Sequence, residues 1–360
     1  MKNWPKISFL SLVFAGQALN ANVPLLIYAA TAPFAPFIAA NTASAYRSVM
    51  NFGQNFEPNL DNLNVFTLIP THEKSESTPL KPVEVCQIIK DGHRLELEGR
   101  HVAINDKQYK LSCDIPKDCE SIVVHNAGYD GYVGSAPIKF AWAGREATNL
   151  LKNNLIPDNT PVVCFEGPVN YPSTFSFGGE FDQKCLDFVY GQTRQNNPKA
   201  SIILSGDCKG ATGVLNYLSN RQYTDNGRLD SVKAAILESP SSSLAPFADN
   251  VAKNHVPAGL RWLIPLIFKG AFHNCKWDQP TILDKANDVP NHVKVHVGYL
   301  KGDKAANPRD AAAIVQALIA AGKNVESFEH TDTSLGHGHL GQSKGYQKSV
   351  REFLDTIVKK

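Results

Sequence analysis

From residue 121 onward, short apolar runs rich in β-branched residues alternate with longer stretches whose apolar positions recur every three to four residues. The runs SIVV at 121–124, PVVCFEG at 161–167, SIILSG at 201–206, KAAILES at 233–239, HVKVHVGYL at 292–300 and VESFEH at 325–330 predict strands. Helices are predicted for FAWAGREATNLLKNN at 140–154 and FDQKCLDFVYGQTRQ at 181–195. A third runs from Ala211 through Val214, Leu215 and Leu218, and a fourth, PRDAAAIVQALIAAG, starts at Pro308. The tail from Ser343 places Val350, Phe353, Leu354 and Ile357 on one side of a fifth. Strands separated by helices imply a mostly parallel central sheet with helices on both faces, an α/β fold.

Upstream the period changes. VEVCQIIKDGHRLELEG at 83–99 and HVAINDKQYKLSCDIP at 101–116 alternate apolar and polar residues, with turn signals at Asp91-Gly92 and Asn105-Asp106, and predict antiparallel strands opening the sheet. Residues 41–82 are polar around one short apolar run at 65–69 and have the character of a linker or N-terminal arm, so the folded domain is expected over 83–360. Within it the alternation pauses over about 240–290. That insertion contains GLRWLIPLIFKGAF and is expected to form a small helical lid, with Trp262, Leu263, Ile264, Leu266, Ile267 and Phe268 at an apolar entrance. A helix simply packed on the domain is the competing reading.

The first 40 residues follow neither period. No charged residue occurs from Ile7 to Tyr46, and Lys2 and Lys6 precede the run ISFLSLVFAG. Small residues follow at Gly16 to Ala18 and at Ala21, as an export signal requires, while VPLLIYAATAPFAPFIAA at 23–40 is long enough to cross a bilayer. Residues 1–40 are therefore read as an export signal or membrane anchor, which places the protein outside the cytosol or at a membrane. An apolar arm packed on the domain is the other reading.

Composition adds exclusions. A chain of 360 residues with 43% hydrophobic content can bury a large core without metal or disulfide staples. Basic and acidic residues nearly cancel, leaving +2, and no basic block or aromatic-basic interleaving points to nucleic acid. Of seven cysteines, Cys86, Cys113, Cys119, Cys164, Cys185 and Cys275 are enough for three pairs in an oxidising compartment, leaving Cys208 free. Cys164, in an apolar strand, reads instead as a core thiol. The cysteines lack zinc spacing and the glycine-rich loops lack a dinucleotide fingerprint, so neither a metal nor an organic cofactor is expected.

The candidate chemistry centres on GDCKG at 206–210, between the strand SIILSG and the helix from Ala211. A side chain on so sharp a turn needs small neighbours, which Gly206 and Gly210 supply, and the helix start favours a thiolate at Cys208. Lys209 adds positive charge beside the sulfur, and Asp207 acts against it. A cysteine nucleophile needs a base and a group to orient that base. TDTSLGHGHLGQ offers His337 and His339 in a loop after the last strand, with His337 preferred because glycines bracket it. Asp303, on the turn after HVKVHVGYL, is the candidate acid, with Glu238 at the end of ILES as its competitor. Oxyanion donors are available from the amide of Lys209 and from Asn126 or Ala127 in the loop HNAGYDGYVG.

The order nucleophile, acid, histidine, with a glycine-containing loop after an earlier strand, resembles the α/β-hydrolase superfamily, GDCKG standing where that superfamily carries G-x-S-x-G. Cysteine in place of serine is similar to dienelactone hydrolases and polyhydroxyalkanoate synthases. The resemblance covers about 83–360. It implies an α/β-hydrolase fold, with Cys208 as nucleophile, His337 as base, Asp303 as acid, and the Lys209 and Ala127 amides as oxyanion donors. The expected activity is cleavage of an ester or thioester of a small-molecule acyl substrate through an acyl-cysteine. Acyl transfer on the same site, or a hydrolase-fold protein that binds without turnover, are the alternatives.

Overall fold

The computed structural model describes residues 60, 63–72, 78–81, 84–85, 94–128, 147, 149–157, 159–166, 177–255, 258–262 and 281–358. The expected export signal or anchor at 1–40 lies outside them. Among the described residues no helix is long and apolar enough to cross a membrane.

Nine strands form one sheet: β1 Asn64–Thr71, β2 His101–Ile104, β3 Lys107–Ser112, β4 Ser121–Asn126, β5 Val162–Glu166, β6 Ser201–Asp207, β7 Val232–Glu238, β8 Lys294–Leu300 and β9 Val325–His330. Their order is β2-β3-β1-β5-β4-β6-β7-β8-β9. Strands β4 to β9 pair in parallel, whereas β1, β2 and β3 pair antiparallel and add a wing at one side. Around the sheet lie α1 Glu180–Asn196, α2 Lys209–Leu218, α3 Leu244–His255, α4 Pro308–Ala320 and α5 Lys344–Val358. The expected parallel α/β sheet is present: the run β5-β4-β6-β7-β8-β9 has the strand order of the α/β-hydrolase fold, whereas in the antiparallel wing the first strand of the chain, β1, is the innermost.

The pleat explains why the central strands read as continuous apolar runs. Ile202 and Leu204 of β6, with Ile122 and Val124 of β4, enter one core alongside Val214 and Leu215 of α2 and Ile314 of α4. The intervening Ile203 and Val123 enter a second core with Val350, Phe353 and Leu354 of α5. Each strand is thus covered on both sides. Fully burying the four apolar side chains Tyr346, Val350, Phe353 and Leu354 contributes roughly 6–12 kcal/mol of transfer free energy before conformational entropy is subtracted. That is why a helix with five charged side chains stays docked.

Two expectations are corrected. The stretch 41–82, read as a linker or arm, supplies β1, which pairs with both β3 and β5, so the sheet starts well before residue 83. Only one short apolar run marked it, and its burial of Val65, Phe66 and Leu68 depends on strands far along the chain. Conversely, RLEL within 83–99 is a 3-10 turn, Arg94–Leu97, in which Leu97 is buried and Leu95 exposed. The apparent alternation there did not mark one face of a strand. The hairpin β2-β3 does form around Asn105 and Asp106, both in left-handed backbone (φ 48 and 59°), as a tight hairpin turn requires.

In the insertion at 240–290, α3 packs Leu244, Phe247 and Ala248 inward, and Ile282, Ala286 and Val289 join the first core at its far end. Trp262 is exposed; Leu263, Ile264, Leu266, Ile267 and Phe268 lie outside the described residues.

Candidate active site

β6 ends at Asp207 and α2 begins at Lys209, leaving Cys208 on the turn between them. Its backbone is left-handed (φ 51°, ψ −114°), a conformation that costs a residue with a side chain about 1–3 kcal/mol and persists only where the surroundings impose it. Here the Cys208 N–H donates to Glu238 O (2.8 Å) and the Cys208 carbonyl accepts from Thr212 N–H (3.0 Å), tying the turn to β7 and to the first turn of α2. The flanking glycines are required by contact. A Cβ on Gly206 would lie 2.6 Å from Ala211 N, and one on Gly210 would lie 1.9 Å from Asn126 O. The second contact also shows that the start of α2 is pressed against the backbone of Asn126 and Ala127, the two candidate oxyanion donors at the end of β4.

Lys209 does not act as expected. Its ammonium pairs with Asp182 of α1 at 3.1 Å, with side-chain exposures of 13% and 6%. Asp182 also accepts from Gly178 N–H at 2.6 Å. The positive charge that the sequence placed beside the sulfur is neutralised by a carboxylate 27 positions away, whose place in the first turn of α1 reads in sequence only as a favourable helix-dipole charge.

Asp303 follows β8 and His337 follows β9, and the fold brings them together: His337 Nδ1–H donates to Asp303 Oδ2 at 2.7 Å. The Asp303 side chain is 1% exposed, that of His337 26%. Asp303 is fixed by its other oxygen, which accepts from the amides of Ala305 (2.8 Å) and Ala306 (3.0 Å). Asn250 of α3 donates to the carbonyls of Asp303, Ala305 and Ala306 at 3.1 to 3.2 Å, so the insertion braces the acid loop. This bracing residue carried no sequence signal beyond its place on a helix. With Nδ1 committed to Asp303, the other ring nitrogen of His337 is left for a second partner, and Cys208 is the other group that acts on the ring. Burial works against the imidazolium, but the electrostatic influence of Cys208 and the hydrogen bond to Asp303 outweigh it and hold His337 well above the ordinary imidazole value.

The competitors occupy other places. Glu238 Oε1 accepts from Leu340 N–H at 3.0 Å, and His339 Nδ1 bonds Gln342 Nε2 at 3.1 Å. Glu238 and His339 line a separate cavity of about 310 Å³ with His125, Asp207, Asn149 and Lys152. His125 bonds Ser205 at 3.2 Å.

Cys119 and Cys185 are free thiols, so the three pairs that the cysteine count permits do not form; Cys86 and Cys275 lie outside the described residues. Cys164 and Cys185 belong to the two different cores, with the sheet between them. Burial, reinforced by Asp182, pushes the Cys185 thiol far up, as for an inert core thiol. Among the described residues no three His, Cys, Asp or Glu side chains converge on a metal position.

No family model and no curated protein matches this chain. Solved structures similar to it include an esterase from Pyrococcus furiosus, 15% identical with a TM-score of 0.47, over 80% of this chain and 99% of that one. Fungal esterase from Rhizomucor miehei is 13% identical with a TM-score of 0.46, over 79% and 93%. Dipeptidyl peptidase 4 from Porphyromonas gingivalis is 13% identical with a TM-score of 0.43, over 67% of this chain, which spans about a third (32%) of that protein's length. The reading of the site rests on the strand order and on the placement of Cys208, Asp303 and His337.

Proposed function

We propose that the protein is a hydrolase that cleaves an ester or thioester of a small acyl compound through an acyl-cysteine at Cys208. The observation that carries this reading is the conjunction at one sheet edge of a strained Cys208 at a helix start and a His337 bonded to buried Asp303 and subject to the electrostatic influence of Cys208.

In the first half-reaction the Cys208 sulfur, its proton held by His337, attacks the acyl carbonyl, and a C–S bond forms as the carbonyl π electrons move to oxygen. The amides of Lys209 and Ala127 donate to that oxyanion. When it collapses, the bond to the leaving group breaks and His337 delivers the proton to it. Water then gives a proton to His337 as its oxygen attacks the thioester, and the sulfur leaves as the acid is released. Asp303 keeps the imidazole in the tautomer that faces the sulfur.

The test is turnover of p-nitrophenyl esters and acyl thioesters, from acetyl to long chains, by the wild type and Cys208→Ala. Loss of at least about 10³ in kcat/KM for the variant is expected for removal of a covalent nucleophile. Equal rates in the two proteins across the panel would favour a hydrolase-fold binding protein instead.

A further inference from the structure

A second strained residue stands beside the nucleophile. The registers Asp207↔Glu238 and Glu238↔Gly298 put Cys208 and Ser239 at the same level, each one step past the last paired position of its strand. Ser239, like Cys208, has left-handed backbone, at φ 49° against 51°. The neighbouring backbone holds both there: Cys208 N–H donates to Glu238 O, and Ser239 N–H donates to Gly298 O at 2.7 Å. Left-handed strain in a residue with a side chain is uncommon outside turns and gathers at functional sites.

The hydroxyls of this loop are the second observation. Ser239 and Ser241 are each 1% exposed, and neither Oγ has a hydrogen-bond partner among the described residues. A buried hydroxyl left unbonded is destabilising, and most such groups in folded proteins are satisfied. The loop is not slack enough to turn them outward. Thr212 Oγ1 of α2 accepts from Ser241 N–H and donates to Ser241 O, both at 3.0 Å. Ser242 N–H and Oγ–H donate to the two oxygens of buried Asp310 at 2.7 and 2.6 Å. Two rigidly held, unbonded hydroxyls next to a nucleophile are what a binding site for an oxygen acceptor needs before its ligand arrives.

We propose that Ser239, seconded by Ser241, hydrogen-bonds a second oxygen of the acyl substrate, so that the site selects acyl groups bearing an oxygen near the scissile carbonyl over purely hydrocarbon ones. Adjacent strands are about 4.8 Å apart, so a substrate carbon bound to Cys208 Sγ leaves room for about two or three bonds before reaching Ser239. An α-alkoxy or α-hydroxy acyl group fits that span. The inference rests on the acyl-cysteine reading given above.

The experiment compares two esters of equal chain length, p-nitrophenyl methoxyacetate and p-nitrophenyl butyrate, on wild type, Ser239→Ala and Ser239→Ala/Ser241→Ala. Each ester's spontaneous hydroxide rate corrects for its intrinsic reactivity, and the melting temperature of each variant checks folding. The corrected methoxyacetyl-to-butyryl ratio of kcat/KM is expected to exceed one in the wild type. It should fall about tenfold in Ser239→Ala and further in the double variant, with melting temperatures no lower than wild type because an unbonded buried hydroxyl has been removed. A ratio that stays within twofold overturns the proposal, whether both rates persist or both collapse, since an ordered water or a packing role would leave it there. A wild type that turns over neither ester and shows no acyl adduct on Cys208 by intact mass fails differently: it overturns the acyl-cysteine reading, and the subsite with it.

Discussion

Two histidines, one buried inside the sheet and one partly exposed at its edge, are driven in opposite directions. His296 lies within β8, fully buried, with its ring 5.3 Å from Phe353 and 5.6 Å from Tyr346 of α5 and Nε2 bonded to Ser349 Oγ at 2.8 Å. No charged group offsets its burial, which pushes the imidazole down to about 4. His337, on the loop after β9, also meets a desolvation penalty, yet Cys208 and Asp303 overturn it and hold the ring well above the ordinary value. Burial alone makes a histidine a neutral packing group. The influence of a sulfur, and a carboxylate bonded to one nitrogen, suit His337 to the proton transfer proposed for it, and the carboxyl edge of the sheet is where strands β6, β8 and β9 can deliver those partners together.

The largest effect that separates the two is on turnover. His337→Ala removes the proton acceptor and is expected to lower kcat/KM on the esters by about 10³ or more, roughly 4 kcal/mol of transition-state stabilisation, with little change in melting temperature because the loop is half-exposed. His296→Gln should do the reverse, leaving kcat/KM within a few-fold and lowering stability. Similar losses of turnover in both variants would break the distinction.

The next effect is on stability against pH. Folded His296 titrates near 4 and the unfolded residue near 6.5, so between these values only the unfolded chain takes up the proton. This residue's contribution is therefore constant above about pH 6.5, declines as pH falls towards 4, and is flat below that. The total is about 3 kcal/mol by linkage. Urea unfolding of wild type and His296→Gln from pH 7 to 4 should show a steeper decline in the wild type by that amount. Parallel curves would mean that the ring is not held neutral by its surroundings.

Legibility in the sequence divides along the same line. GDCKG was readable because its chemistry is local: a strand, two glycines at positions where a Cβ would clash with backbone, and a helix lie within a few residues. Asp303 and His337 were readable as groups of the right type after suitable strands, but so were Glu238 and His339, and only the structure sends those two to Leu340 N–H and Gln342. Asp182 and Asn250 escaped because their work is done across the fold, where no spacing rule reaches. Ser239 escaped because SPSSS reads as an ordinary loop, and its strain and burial appear only once β7 is set beside β6. β1 escaped for a related reason, its partners β3 and β5 being distant in sequence.

The smallest effect sharpens how the two partners share the work on His337. The charge influence of Cys208 is the leading cause that raises the ring, followed by the hydrogen bond to Asp303. Titrating the His337 ring by NMR should therefore give a lower value in both Cys208→Ala and Asp303→Asn than in the wild type, and the greater drop in Cys208→Ala. In Asp303→Asn the ring remains beside the sulfur, but an amide can stabilise the tautomer that points the wrong nitrogen at Cys208. Turnover is expected to fall by only about thirtyfold, roughly 2 kcal/mol, less than for His337→Ala. If Asp303→Asn instead lowered the ring's titration more than Cys208→Ala did, the carboxylate and not the sulfur would be what lifts His337 out of the state that His296 occupies. The edge of the sheet would then owe its chemistry to β8 and not to the turn after β6.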